Sequence, residues 1–163
     1  MTIERRAAAE GEKASVRIRR GTPADIDNLV EFNLAMARET EAKTLAPEIL
    51  RPGIARVLAE PVRGFYLVAE CAGAVAGCLM ITYEWSDWRN GDWWWLQSVY
   101  VLPACRRHGV FRALFTEVER MSRTTADVVG LRLYVERDND RARETYAALG
   151  LVETHYRLLE REY

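Results

Sequence analysis

Apolar and polar positions change rhythm along the chain, and each change marks an element. "VRIRR" (Val16–Arg20) alternates as a short strand does. Thr22-Pro23-Ala24-Asp25 then opens a helix: Thr22 caps, Pro23 suits the first helical position, and Asp25 favours the positive helix end. Ile26, Leu29, Val30, Asn33 and Met36 follow at helical spacing. A second short helix is expected between about Pro52 and Glu60. Phe65–Cys71 and Val75–Glu84 read as two strands of a hairpin turning at Gly73. "WSDWRNGD" is a loop, and "WWWLQSVYVLP" is an aromatic, β-branched strand stopped by Pro103. From Gly109 the period becomes helical, with Val110, Leu114, Val118 and Met121 on one stripe. Leu131–Glu136 is a strand. Asp138–Gly150 is a helix with Asp or Asn at its start and Gly150 as its stop. "LVETHYRLLE" reads as a last strand, available to pair across a homodimer. The order is β-α-α-β-β-β-α-β-α-β, an α/β (α+β) domain with a mixed sheet and helices on both faces.

Length and composition narrow the classes. The chain has 163 residues, of which 49% are hydrophobic, enough for one domain with its own core. That domain is expected over residues 16–163, behind a flexible tail over residues 1–15 whose polar start lacks the apolar core of a signal peptide. No apolar run reaches membrane-spanning length. The net charge of −1 argues against a nucleic-acid binder, which needs a broad basic face. Cys71, Cys78 and Cys105 lack a CxxC or CxxH spacing, so they read as thiols in a reducing, cytoplasmic setting, with no disulfide framework and no metal site.

Candidate chemistry concentrates where the third helix begins. In "VLPACRRHGVF" a strand end meets Arg106, Arg107, His108 and Gly109 just ahead of a helix. Free N–H groups at a helix start point toward an anion, and the helix dipole favours negative charge. Gly109 lets the backbone approach closely, and two arginines supply forked donors, a set suited to a diphosphate. The plain alternative is a solvated basic turn.

Arg106-x-x-Gly109-x-Phe111 resembles the Q/R-x-x-G-x-G/A pyrophosphate loop of the GNAT (Gcn5-related) N-acetyltransferases, with Phe111 standing where Gly or Ala is usual. Asn139-x-x-Ala142-x-x-x-Tyr146-x-x-x-Gly150 resembles a second GNAT feature, the helix after the next strand. The resemblance implies a mostly antiparallel sheet and acetyl-CoA as cosubstrate, entering between two neighbouring parallel strands mapped onto Trp94–Leu102 and Leu131–Glu136. It implies that the backbone of Ser98, Val99, Tyr100 and Val101 pairs with the pantetheine arm. Arg106 through Phe111, including His108 and Val110, would hold the phosphates. Asn139, Ala142 and Tyr146 would face the coenzyme, with Tyr146 as general acid for the departing thiolate. A phenol of ordinary pKa stays protonated at neutral pH and can serve this way. The activity implied is transfer of acetyl to a primary amine by direct attack in a ternary complex, without a nucleophilic cysteine and without a metal.

The acceptor amine must lose a proton, usually to a carboxylate or to water held by one. Glu84 ends the strand beside the coenzyme strand and is the first candidate, with Asp87 and Asp92 in the adjoining loop. Gln97 stands where many GNATs carry a glutamate on the coenzyme strand. Trp85, Trp88, Trp93, Trp94 and Trp95 suggest an aromatic wall for an apolar or cationic acceptor, or simple packing. Glu39, Glu41 and Glu84 would add negative charge favouring an amine. The acceptor, a small molecule or a protein amino group, is not legible. Two rivals are a non-catalytic acyl-CoA sensor of the same fold and a small nucleic-acid-binding domain whose affinity would fall steeply with salt.

Overall fold

The computed structural model describes residues 15–163, so the expected N-terminal tail lies, apart from residue 15, outside the described residues. The chain divides into two compact units, the first ending at Leu133 and the second being Tyr134–Tyr163. The first unit carries β1 (Val16–Arg20), a 3₁₀ turn (Pro23–Asp25), α1 (Ile26–Glu41), α2 (Pro47–Ala59), β2 (Phe65–Cys71), β3 (Ala74–Ser86) and β4 (Gly91–Val101). A second 3₁₀ turn (Pro103–Cys105), α3 (Val110–Thr124) and β5 (Val128–Leu133) complete it. The second unit holds α4 (Asp140–Ala148).

The five strands lie in chain order, antiparallel throughout except for the parallel pair β4–β5. Alternation along the strands sorts side chains onto two faces. On one face Tyr66, Val68, Cys78 and Tyr100 pack with Leu29, Val30 and Phe32 of α1 and Ile54 of α2. The other face lies on the α3 side, where Val110, Leu114, Phe115 and Val118 are buried along one helical stripe. Helices thus cover both faces, as the sequence pattern predicts.

Four elements differ from the sequence expectation. The loop expected over 85–92 shrinks to 87–90, because Trp85 and Ser86 pair with Asp92 and Gly91, so that β3 runs on to Ser86 and β4 begins at Gly91, and Asp92 is a strand residue. Helix α2 begins at Pro47, five residues before Pro52, because Pro47 itself takes the first helical turn; Pro52 is carried inside the helix. Strand β5 begins at Val128 and stops at Leu133, where its pairing with β4 ends. The closing strand expected from Leu151 onward is absent among the described residues. The second unit has no strand to complete its ladder, and Val152, Leu158 and Leu159 are exposed.

The entry to α1 is fixed by charge. The Asp25 side chain is buried, at 3% exposure, and accepts hydrogen bonds from both terminal nitrogens of Arg19 at 2.8 Å. It also accepts from the Thr22 amide at 2.8 Å and the Thr22 hydroxyl at 3.0 Å. The Arg19 hydrogen bonds hold its carboxyl below the usual carboxylate range, aided by the Thr22 donors. A pKa lower in the folded than in the unfolded chain stabilises fully above the ordinary aspartate value, ~4, and this is lost as pH falls through the folded value. Asp25→Ala leaves Arg19 with Glu70 and the Arg20 carbonyl and unsatisfies the Thr22 amide. The expected loss is about 2–3 kcal/mol in denaturant titration at neutral pH, shrinking in acid as wild-type Asp25 itself protonates.

Candidate functional site

β4 changes partners along its length. From Asp92 to Leu96 it pairs with β5, Asp92 with Val128 and then, after a one-residue shift, Trp93 to Leu96 with Gly130 to Leu133. Beyond Leu96 it continues to Val101 with β3 as its only strand neighbour among the described residues. Leu102 donates its amide to Ala76 at the start of β3, at 2.9 Å. Alternation then turns the N–H and C=O of Val101 to the opposite edge, the one β5 has left. The result is an edge of β4 over Gln97–Val101 with no strand on it among the described residues, beside strands that part; the Val101 carbonyl on it is held by Arg106, which leaves the Val101 amide.

A β-bulge sits at the top of this run. Cys78 pairs with Tyr100 and Met80 with Gln97, so Ser98 and Val99 together oppose Leu79. Ser98 takes φ +49°, a conformation that costs a side-chain-bearing residue about 1–2 kcal/mol. Its neighbours hold it there: the Cys78 thiol donates to its carbonyl at 3.5 Å, and its side chain hydrogen-bonds the buried Tyr66 phenol. Burial pushes the Cys78 thiol up to about 12, which removes it as a nucleophile at neutral pH. The extra residue also shifts the alternation. Trp93, Trp95 and Gln97 share the face on which Tyr100 lies, instead of continuing through Val99 and Val101.

After Pro103–Cys105 the chain turns through Arg106–Gly109 into α3. Arg107 has φ +68° and Gly109 +81°, and Gly109 is the N-cap of α3. Alternating positive φ values help a turn direct its amides toward a common point, a concavity that suits an anion. A Cβ on Gly109 would meet nothing within 4 Å, so the backbone is open there. The two arginines divide their work. Arg106 donates through Nε to the Val101 carbonyl at 2.9 Å and through a terminal nitrogen to Glu39 at 2.6 Å. Glu39, in the last turns of α1, also accepts from the Tyr100 hydroxyl at 2.8 Å. These partners, Arg106 first, hold the Glu39 carboxyl below its usual range. Arg106 thus ties α1, β4 and the turn together, a duty its sequence position alone does not disclose. Arg107 and His108 are exposed, and no ion pair of Arg107 occurs among the described residues.

On the face of Tyr100, toward the hairpin end, the sheet is polar and aromatic. Gln97 donates to the Thr82 hydroxyl at 2.6 Å. Glu84 lies opposite Trp93 and accepts from Arg132 of β5 at 2.8 Å and from the Trp95 indole at 2.5 Å. Register therefore sets Glu84 about three residues from the point where β4 and β5 part, and each of its oxygens already holds a donor. Glu84, the first candidate for the base, is thus already engaged by two donors. The tryptophans do not form one wall. Trp94 is buried on the opposite face between Phe65 and Tyr83, Trp85 and Trp88 are exposed near the hairpin end, and only Trp93 and Trp95 share the polar face. Nor is the surface acidic as expected: Glu39, Glu41 and Glu84 are ion-paired with Arg106, Lys43 and Arg132.

In the second unit, Asn139 caps α4, its side-chain oxygen accepting from the Ala142 amide at 3.1 Å. Gly150 ends the helix at φ +86°; its amide bonds the Ala147 carbonyl and the Leu151 amide that of Tyr146, the two bonds of a Schellman stop. Tyr146 lies on α4 two turns beyond Asn139, and burial raises its phenol above the ordinary value.

The acetyltransferase (GNAT) family model matches residues 30–151, three quarters of the chain. The chain belongs to the GNAT acetyltransferase family. A solved structure of a possible acetyltransferase from Clostridium difficile 630 is 39% identical, covers 91% of this chain and 97% of its own, and superposes with a TM-score of 0.85. Two more distant GNAT-like structures agree in fold. One is an aminoglycoside N-acetyltransferase in complex with CoA, 15% identical over 91% of this chain and 95% of that one, with a TM-score of 0.75. The other is a ribosomal-protein-alanine N-acetyltransferase from Brucella melitensis biovar Abortus 2308, 14% identical over 91% and 99%, with a TM-score of 0.73. No curated protein matches the chain.

Several residues of this GNAT domain carry parts that sequence reasoning missed. Thr82 anchors Gln97, and Arg132 engages Glu84. Gly130 of β5 seats the Trp93 ring: a Cβ there would lie 2.4 Å from it, so only glycine fits. Glu39 had drawn notice for its charge alone. No group of three or more His, Cys, Asp or Glu placed to hold a metal occurs among the described residues. No helix among them is long and apolar enough to cross a membrane.

Proposed function

We propose that this GNAT domain transfers acetyl from acetyl-CoA to a primary amine by direct attack with both substrates bound. The observation that carries the reading is the open backbone edge Gln97–Val101, which leads straight into the Arg106–Gly109 turn at the start of α3. An edge strand pairs with an extended ligand through its own N–H and C=O groups, as it would with another strand. The backbone of Val99 and the amide of Val101, whose carbonyl Arg106 keeps, would hold the pantetheine arm in this way, with Ser98 and Tyr100 setting the bulge that aims them. The amides from Arg107 to Phe111 and the guanidinium of Arg107 would hold the diphosphate. The family resemblance also assigns Asn139, Ala142 and Tyr146 to the coenzyme, Tyr146 giving a proton to the leaving thiolate. A GNAT-like structure solved in complex with CoA supports the choice of coenzyme. Each Glu84 oxygen keeps a second lone pair, so the amine proton is proposed to leave along a chain of waters that runs from Gln97 and ends there. The deciding experiment is calorimetric titration with CoA, followed by a screen of amine acceptors with acetyl-CoA that reads thiol release. Absence of CoA binding by folded protein overturns the proposal.

The division of labour between the arginines gives a sharper test. Arg107→Ala removes an unpaired charge, so CoA affinity falls about fivefold at low salt and the deficit fades as salt screens it. Arg106→Ala loosens the turn and frees Glu39, so its deficit persists in high salt and is joined by a loss of stability of about 1 kcal/mol. Isothermal titration at two ionic strengths and a melting curve separate the two.

A further inference from the structure

Resting on the acetyl-transfer reading above, we infer that the acceptor carries an anionic group, a carboxylate or a phosphate, held by Arg89 and Arg132 over the Trp93 ring. An aromatic ring in an acceptor site ordinarily attracts a cation to its face. Here the protein fills that place itself. The Arg132 guanidinium lies 4.0 Å from the Trp93 ring centroid and that of Arg89 5.3 Å from it. Gly130 lets the ring settle against β5, which fixes the platform. Of the two arginines, Arg132 is answered by Glu84. Arg89 is exposed and has no carboxylate partner among the described residues. A carboxylate or phosphate that enters here meets two forked donors at one ring.

The register adds a length requirement. The strands part at Leu96 and the bulge follows Gln97, so the amine is to be acetylated near Gln97. Arg132 pairs with Trp95, two residues back along β4, or about 7 Å. Trp93 lies about 7 Å further. An α-amino acid, whose two charges are neighbours, cannot reach both points. An amine and an anion separated by an extended chain can.

The test compares 6-aminohexanoate, 6-aminohexyl phosphate, neutral 6-aminohexanamide and glycine as acceptors in wild type and Arg89→Gln. In wild type at low salt, kcat/KM for at least one long anionic acceptor exceeds that for the amide by about tenfold, and glycine is poor. The better of the two anions tells carboxylate from phosphate. In Arg89→Gln the anion-to-amide ratio falls toward one, while CoA titration checks that the variant is folded. A wild-type ratio near one in protein that binds CoA and acetylates amines overturns the inference and spares the acetyltransferase reading. So does a ratio that survives Arg89→Gln. If neither CoA binding nor thiol release is found, the acetyltransferase reading fails instead. Tryptophan fluorescence then decides the anion site alone: quenching by 6-aminohexanoate that is lost in Arg89→Gln sustains it, and no quenching overturns it.

Discussion

Tyr146→Phe lowers kcat about a hundredfold and leaves CoA affinity within about twofold. The substitution keeps the ring and removes only the hydroxyl, so packing along α4 is retained. Burial raises the phenol's pKa, which keeps it protonated throughout the neutral range and well into alkali. Proton donation by Tyr146 is accordingly full at neutral pH and is lost only as pH rises beyond ~10, the ordinary value for the group. Wild-type kcat should show no falling limb from this group below that point. Steady-state rates across pH, with calorimetric CoA titration of both proteins, check the expectation. Equal rates in the two proteins remove Tyr146 from the chemistry.

Gly109→Glu weakens CoA binding by at least about a hundredfold while the domain stays folded. Two effects combine. The position has φ +81°, where a side-chain-bearing residue costs about 1–2 kcal/mol. That strain is affordable, because a Cβ there meets no neighbour within 4 Å. The carboxylate, by contrast, stands where the proposal puts a diphosphate, and like charges repel through little intervening material. Gly109→Asn separates the two effects, since asparagine tolerates the left-handed region and brings no charge. It should bind CoA within about fivefold of wild type. Strong CoA binding by a folded Gly109→Glu protein would place the diphosphate elsewhere.

What could be read from the residues was what local patterns dictate. Phe65–Cys71 was legible to the residue because an apolar run sits between Gly64 and Gly73. The start of α3 was legible because Gly109 and the stripe from Val110 switch the period abruptly. Helix α2 was misplaced because Pro52 looks like a start, and nothing local says that Pro47 already is one. The bulge was invisible for a similar reason: Ser98 is neither Gly nor Pro, and its strain is supported by Tyr66 and Cys78 from other strands. Site chemistry was legible in residue type and hidden in partnership. Arg106 reads as a phosphate ligand until α1 brings Glu39 to it, 67 positions away in the chain. Glu84 reads as an available base until the parallel strand delivers Arg132, 48 positions away. Such pairings depend on strand order and register, which no short window contains.

Ser98 also limits how this lineage can vary in length. Surface loops commonly gain or lose residues with little harm, but a one-residue deletion at Ser98–Val99 would close the ladder against Leu79 into regular pairing. Tyr100 would stay opposite Cys78, while the left-handed residue and the bend it puts into β4 would be lost. Homologues should therefore preserve the spacing between Gln97 and Pro103 even where they exchange the side chains in between.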